Sequence, residues 1–283
     1  MKDIAFCQIV KSMLLACVCA FALVMMAAPR EHGIIGRFEA ANTINILSMY
    51  RGAPQVNESR IIALIPAWNE GSRILPVLET TLDYLPVLVV DDGSEDDTAD
   101  IAETAGAIVV RHPSNHGKGK ALMTGFTWAM DHGYDAVLTL DADGQHDPAE
   151  IPKFITAYHA DVAELIIGRR SYLKMPFPRF FTTPLGTLLL SLALGRMIHD
   201  NQSGYRLYTR RCLEAFEPAT TGFEMEVEVI IQMVCKDLRI GWVGIRTIYG
   251  INKVSYFHPV KDTLRFLGMI GHACRERIKT RRS

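Results

Sequence analysis

Val137-Leu-Thr-Leu-Asp-Ala-Asp-Gly-Gln-His-Asp-Pro148 sets the class of structure to which this chain belongs. It opens as an apolar run rich in Val and Leu, the pattern of a buried strand, and ends abruptly in carboxylates, a Gln and a His around one glycine. Acid is therefore concentrated at the carboxyl end of a strand, the end at which open α/β sheets bind ligands. Asp141 and Asp143, one residue between them, can share a hard divalent cation, which takes oxygen ligands and stays partly bound to substrate phosphates. An EF-hand is excluded, because the glycine holds the wrong loop position and the run before it is strand-like rather than helical. A solvated acidic turn has the same local pattern, so the flanking chain has to decide between the two.

Upstream, strands and helices alternate. Ile61-Ile-Ala-Leu-Ile65 reads as a first strand, followed by Pro-Ala-Trp-Asn-Glu70 and a helical pattern carrying Leu75, Leu78 and Leu82. Val87-Leu-Val-Val90 is a second strand, ending in Asp91-Asp-Gly-Ser94, with a helix from about Asp97 to Ala105. Ile108-Val-Val110 is a third, and the loop His112-Pro-Ser-Asn-His-Gly-Lys-Gly119 leads into a helix to Asp131. Downstream, Pro148 at a first helical position begins a helix to about Ala160, and Leu165-Ile-Ile-Gly168 is another strand. Such alternation predicts an α/β fold with a mostly parallel, Rossmann-like sheet and helices on both faces.

The second half is organised differently. Lys174 to Arg179 is a Pro-containing basic loop, and Leu185 to Ile198 is a strongly apolar helix candidate. A helix of that kind belongs either in a core or, beside a basic loop, at a membrane interface. Asp200-Asn-Gln-Ser-Gly-Tyr-Arg206 follows, then a helix from about Phe223 to Lys236, strands near Ile240 and Ile248, and an amphipathic helix candidate from about Val260 to Ile278. The basic end, Arg275 to Ser283, suits anionic headgroups and is equally the pattern of a solvated terminus. Ser12 to Ala28 is uncharged and apolar, with Lys2 and Lys11 before it and Arg30 and Arg37 after it. It fits a single membrane span, a signal peptide, or a segment not made at all if the chain starts at Met49, and its tied flanking charges do not orient it.

Composition narrows the classes further. With 283 residues, 49% of them hydrophobic, the chain can build one large α/β core. A formal net charge of -1 excludes the broad basic field of a nucleic-acid binder. The six cysteines show neither zinc spacing nor a disulfide framework, which fits a reducing compartment.

Six motifs follow one another: Ile65-Pro-Ala-Trp-Asn-Glu70, Val90-Asp-Asp-Gly-Ser94, Asn115-His-Gly-Lys-Gly119, Asp141-Ala-Asp-Gly-Gln-His-Asp-Pro148, Gly168-Arg-Arg170 and Asp200-Asn-Gln-Ser-Gly-Tyr-Arg206. In this order they resemble the inverting family 2 glycosyltransferases of the GT-A fold, in particular the branch that makes dolichyl-phosphate and polyprenyl-phosphate sugars. The resemblance is strong from about Ile61 to Arg211 and weaker to Phe266. It divides the chain into an apolar segment and linker at 1–59, a catalytic domain at 60–215 and a part at 216–283 that completes the domain with an amphipathic helix and a basic tail.

The resemblance implies a UDP- or GDP-linked sugar donor held by Pro66, Trp68, Glu70, Asp92, Lys118 and Asp141. Glu70 and Asp92, each just past a strand, can accept hydrogen bonds from a nucleoside's base and ribose; Trp68 either packs on the base or fills the core. Lys118 opens a helix whose first N–H groups favour an anion. Asp143, with Gln145 or His146, would hold Mg²⁺ or Mn²⁺ on the donor diphosphate. Asp141, Asp143 and Asp200 are the catalytic candidates for a single displacement with inversion. No convincing carboxylate pair follows Pro148 to activate a hydroxyl, and Asp200 is the candidate that remains. A phosphate monoester, with a second pKa near ~6, needs no such base. The expected acceptor is accordingly a polyprenyl phosphate, held by Arg169, Arg170, Arg179 and Arg206, although Arg206 can instead pin Asp200.

Because nucleotide sugars are cytosolic, the expected location is a membrane surface with the catalytic domain on the cytoplasmic side. A family 2 enzyme acting on a hydroxyl of a soluble or polysaccharide acceptor is the alternative. A receiver-like signalling module is disfavoured, since its acidic pair would close the first strand and Ile61 to Ile65 comes earlier. A sugar nucleotidyltransferase would carry a Gly-rich loop where this chain has Pro-Ala-Trp-Asn-Glu70.

Overall fold

Near-continuous apolar runs form the middle of the sheet. In the computed structural model, which describes residues 60–171, 179–218, 222, 224–246, 248, 268 and 271, strand β1 (Ile61–Ala67) is buried at every residue but Pro66, and β2 (Val87–Asp91) is buried throughout. The remaining strands are β3 (Ile108–Arg111), β4 (Ala136–Thr139), β5 (Leu165–Arg169), β6 (Arg206–Thr209) and β7 (Ile240–Gly244). Among the described residues they form one seven-stranded sheet in the order β3-β2-β1-β4-β6-β5-β7. All neighbours pair in parallel except β6, which runs antiparallel to both β4 and β5.

The helices are α1 (Gly71–Leu82), α2 (Thr98–Thr104), α3 (Lys118–Asp131), α4 (Ile151–His159, entered through a 3₁₀ turn at Pro148–Glu150), α5 (Arg179–Leu194), α6 (Arg210–Ala215) and α7 (Met225–Cys235). Side chains alternate across a strand, and β1 uses both faces. Ile61, Ala63 and Ile65 pack with Ile74, Val77 and Leu78 of α1 on one side. On the other, Leu64 meets α3 so closely that a Cβ on Gly125 would lie 2.3 Å from Leu64 Cδ1. Pro66 sits in a central strand without breaking a ladder. Ala63 N–H donates toward β2, to Pro86 O, so even-numbered residues of β1 direct their N–H toward β4, whose register with β1 ends at Leu64.

The order of the strands locates the ligand end. β1 has β2 on one side and β4 on the other, and this reversal opens a crevice beyond the carboxyl ends of β1, β2 and β4. Into it run Trp68 to Glu70, Asp92 to Ser94 and Asp141 to Asp147.

Three sequence expectations change. Strand β6 and helix α6 lie where only a polar motif was visible. The apolar helix begins at Arg179 and ends at Leu194, with Gly195 in the left-handed region (φ 61) closing it. Ile248 is not in a strand; its N–H donates to Gln145 O (3.1 Å), tying the C-terminal part to the acidic loop. The expected segment Ser12 to Ala28 and the expected helix from Val260 to Ile278 lie outside the described residues, except for positions 268 and 271. Among the described residues, no helix is long and apolar enough to cross a membrane.

Beyond the crevice, one buried charge staples β5 to β7. Glu164 accepts from the N–H of Arg239 (2.7 Å) and from its Nη2 (2.8 Å) and Nε (3.2 Å), with Arg211 at 3.3 Å. The Arg239 guanidinium outweighs burial and holds the Glu164 carboxyl down at about 2. A carboxyl depressed on folding contributes stability above its unfolded value of 4.5, and that contribution is lost as pH falls toward 2. Glu164→Gln is expected to lower unfolding stability at neutral pH by about 1 to 3 kcal/mol. In denaturant titrations the gap from wild type should narrow below pH 4.5 and close near pH 2.

Candidate active site

The loops after β1 and β2 are laced together. Asn69 adopts a left-handed backbone (φ 54), donates its N–H to Ser94 Oγ (2.9 Å), and accepts on Oδ1 from Glu95 N–H (2.9 Å). Glu70 N–H donates to Thr98 Oγ1 (2.8 Å). Trp68, just past β1, is no core residue: it is 41% exposed. Glu70 pairs with Arg73 (2.7 Å); burial raises its carboxyl, Arg73 opposes this, and the charges of Asp143 and Asp141 push it further up. Glu70 thus lies within electrostatic reach of both Asp143 and Asp141.

Asp92, expected to face a nucleoside, is committed to the chain itself. It is buried, and its carboxylate accepts from His112 Nδ1 (2.7 Å), His116 N–H (3.0 Å) and Gly117 N–H (2.7 Å). Asp92 therefore shapes the loop that opens α3 rather than standing open to a ligand. Gly93 makes that docking feasible, since its φ is +72° and a Cβ would fall 2.5 Å from the backbone of Ser114.

Lys118, the first residue of α3, lies between two acids. Its Nζ is 2.6 Å from Asp141 Oδ1 and 2.9 Å from Glu226 Oε1 of α7. Burial would raise the Asp141 carboxyl, but Lys118, helped by Arg170, outweighs it and holds the group at about 2. Burial would likewise lower Lys118, and Asp141 and Glu226 together raise it instead. Sequence patterning missed Glu226. In Glu224-Met-Glu-Val-Glu228 it alternates with apolar residues at the start of a helix, and no local signal announces a partner in α3.

The acidic loop has internal supports. Asp143 accepts from Gln145 N–H (2.9 Å) and Gln145 Nε2 (2.7 Å), so Gln145 aims the carboxylate. His146 departs from its expected place as a metal ligand. It is buried and stacked on Tyr205, and its Nδ1 accepts from Asp141 N–H (3.0 Å). Burial lowers its pKa and keeps it neutral, so the remaining ring nitrogen carries the proton and has no lone pair for a cation. Asp141 and Asp143, with the amide oxygen of Gln145, remain as hard oxygen donors. They fit Mg²⁺ or Mn²⁺, which take one or two carboxylates and complete their shell from substrate phosphates and water. Among the described residues, no group of three or more His, Cys, Asp or Glu side chains could hold a metal alone.

The arginines separate into different places. Arg206 is fully buried, its guanidinium bonded to the carbonyls of Ser203 (2.6 Å), Asn201 (3.2 Å) and Glu226. It therefore neither reaches an acceptor nor pins Asp200. That task falls to Arg170, whose Nε and Nη2 lie 2.8 and 2.9 Å from the two oxygens of the fully buried Asp200. Arg170 and Asp200, expected as phosphate ligand and base, are thus joined in one clamp. Arg169 is exposed at the end of β5 and lines a cavity of about 410 Å³ with Arg170, Ser171, His199, Gly244 and Ile245. Arg179 is the first residue of α5.

With this geometry in view, residues 62–216 match the family model described as glycosyl transferase family 2. The undecaprenyl-phosphate mannosyltransferase of Micrococcus luteus is 33% identical over 59% of this chain and 76% of its own. A UDP-N-acetylglucosamine–dolichyl-phosphate N-acetylglucosaminyltransferase of Methanococcus voltae is 32% identical over 67% of this chain and 86% of its own. Among solved structures, glucosyl-3-phosphoglycerate synthase from Mycobacterium tuberculosis, in complex with Mn²⁺, UDP-glucose and phosphoglyceric acid, superposes with a TM-score of 0.60. It is 21% identical and covers 77% of this chain and 80% of that one, a likeness of GT-A fold.

Proposed function

The chain belongs to glycosyl transferase family 2, and on that footing we propose that it moves a sugar, with inversion, from a UDP- or GDP-sugar to a polyprenyl phosphate. The observation that carries the acceptor is the state of Asp200. Fully buried and bonded twice to Arg170, it is not available as a base for a hydroxyl. Glu226, the carboxylate that α7 adds to the site, is paired with Lys118 and is no freer. An acceptor that arrives already anionic needs neither. The cavity lined by Arg169 offers the cationic group such a phosphate requires. The names of the two relatives, each a transferase of a lipid-phosphate sugar, support the same acceptor.

In this proposal the nucleoside diphosphate lies across the crevice beside Trp68, Glu70 and the acidic loop. Mg²⁺ or Mn²⁺ held by Asp143, with Asp141, would neutralise charge building on the departing diphosphate. Lys118 supplies a fixed positive charge next to it, and Gln145 keeps Asp143 aimed. The acceptor phosphate oxygen bonds to the anomeric carbon as that carbon's bond to the nucleoside diphosphate breaks, and attack on the face opposite the breaking bond gives inversion. The proposed place of work is the cytoplasmic face of a membrane, where nucleotide sugars and a lipid phosphate meet.

The test is a panel of UDP- and GDP-sugars offered with Mn²⁺ and either polyprenyl phosphate or polyprenol, with labelled lipid as the readout. Transfer to the phosphate alone is expected. Arg169→Ala should reduce it on the order of ten- to a hundredfold, the loss of one charge-assisted contact, while slow hydrolysis of the donor continues. Equal labelling of polyprenol, or of a free sugar, would overturn the acceptor.

A further inference from the structure

Glu226 and Asp141 both reach Lys118 over a point where the chain has no side chain. A Cβ on Gly204 would lie 3.0 Å from Lys118 Nζ, 3.1 Å from Asp141 Oδ2 and 3.1 Å from Glu226 Oε1. The three charged ends close over the bare backbone of Gly204, and a methyl group there would press on all three, each having to give by a few tenths of an ångström. The platform beneath them is fixed. Thr139 Oγ1 donates to Gly204 O (2.7 Å), and Arg206 binds the carbonyls of Asn201, Ser203 and Glu226. The backbone of Glu226 is therefore tied to the same loop that its side chain crosses.

We infer that Glu226 is a positioning residue for the donor, acting through Lys118; the inference rests on the proposal that this crevice holds a nucleoside diphosphate. Asp141 and Glu226 share one ammonium. When Asp141 turns toward a bound ligand, Glu226 keeps a counter-charge on Lys118 and holds its ammonium beside the diphosphate. Without the Glu226 charge, Lys118 turns more fully onto Asp141, and the incoming donor has to displace it. The carboxylate of α7 thereby sets where the positive charge of α3 stands.

The experiment is calorimetric titration of the full-length protein with UDP and with GDP, each in the presence of Mn²⁺, using wild type, Glu226→Gln, Glu226→Asp, Lys118→Met and the Glu226→Gln/Lys118→Met double variant. Glu226→Gln should weaken nucleotide binding about tenfold, the size of one charge-assisted contact, and Glu226→Asp should recover part of the loss. The double variant should bind no more weakly than Lys118→Met alone, because Glu226 has no effect except through that lysine. Melting curves establish that each variant is folded. If the two losses multiply, or Glu226→Gln binds like wild type, the positioning role is wrong while the donor site stands. If wild type binds neither UDP nor GDP, the donor site itself is wrong and the inference goes with it.

Discussion

Asp143→Asn is expected to reduce sugar transfer on the order of a hundred- to a thousandfold, the usual loss when one preorganised electrostatic contact to a transition state is removed. The substitution keeps the shape of the side chain. An amide oxygen can still accept from Gln145 N–H, now at 2.9 Å from Asp143 Oδ1. The second contact, Gln145 Nε2 to Oδ2 at 2.7 Å, would set two donors against each other, and a flip of the Gln145 amide relieves it. The melting temperature should therefore stay near that of wild type. Binding of UDP or GDP should weaken and lose its dependence on Mn²⁺, since an amide oxygen is a poorer ligand for a hard cation than a carboxylate. Excess chelator should bring wild type down to the level of the variant. Full transfer in chelator, or an active Asp143→Asn protein, would sink the metal's role.

Much of this site was legible because its parts stand at strand ends. Ile61 to Ile65, Val87 to Val90 and the strand before Asp141 are apolar runs that end in polar motifs, and a parallel sheet sends all those ends to one edge. That arrangement brings Trp68, Glu70, Asp141 and Asp143 to the crevice, whereas Lys118 opens a helix, and the roles expected of all five came from the family resemblance. What stayed hidden depends on partners distant in sequence. Strand β6 starts with Arg206, a residue that composition assigns to the surface. Its guanidinium is satisfied by three carbonyls, so it is buried without cost to the hydrogen-bond account. Asp92 reads as a ligand-facing acid, yet a loop some twenty residues on folds back to occupy it. His146 reads as a metal ligand, but only its backbone partner, Asp141 N–H, reveals which ring nitrogen is left. Glu226 was hidden for the same reason: its position in a helix carries no trace of Lys118.

Breaking the Arg170–Asp200 clamp should cost more stability than any other single change near the site. Asp200 is fully buried, and Arg170→Ala leaves its carboxylate without the guanidinium that neutralises it, at an expected loss of about 3 to 5 kcal/mol. Asp200→Asn should cost less, because Arg170 borders a cavity in which water can solvate its charge. Replacing both together, as Arg170→Met with Asp200→Leu, removes both charges and should recover most of the Arg170→Ala loss, since a buried ion pair and an apolar pair of similar volume are often close in energy. Chemical denaturation of the three variants measures this directly. The same proteins separate two roles for Asp200. Compared at equal folded fractions, Asp200→Asn should retain transfer to polyprenyl phosphate, because an anionic acceptor requires no base. Loss of transfer in a fully folded Asp200→Asn protein would restore Asp200 as the base and point to a hydroxyl acceptor. If Arg170→Ala keeps its stability and loses only transfer, Arg170 serves the acceptor phosphate first and the clamp second.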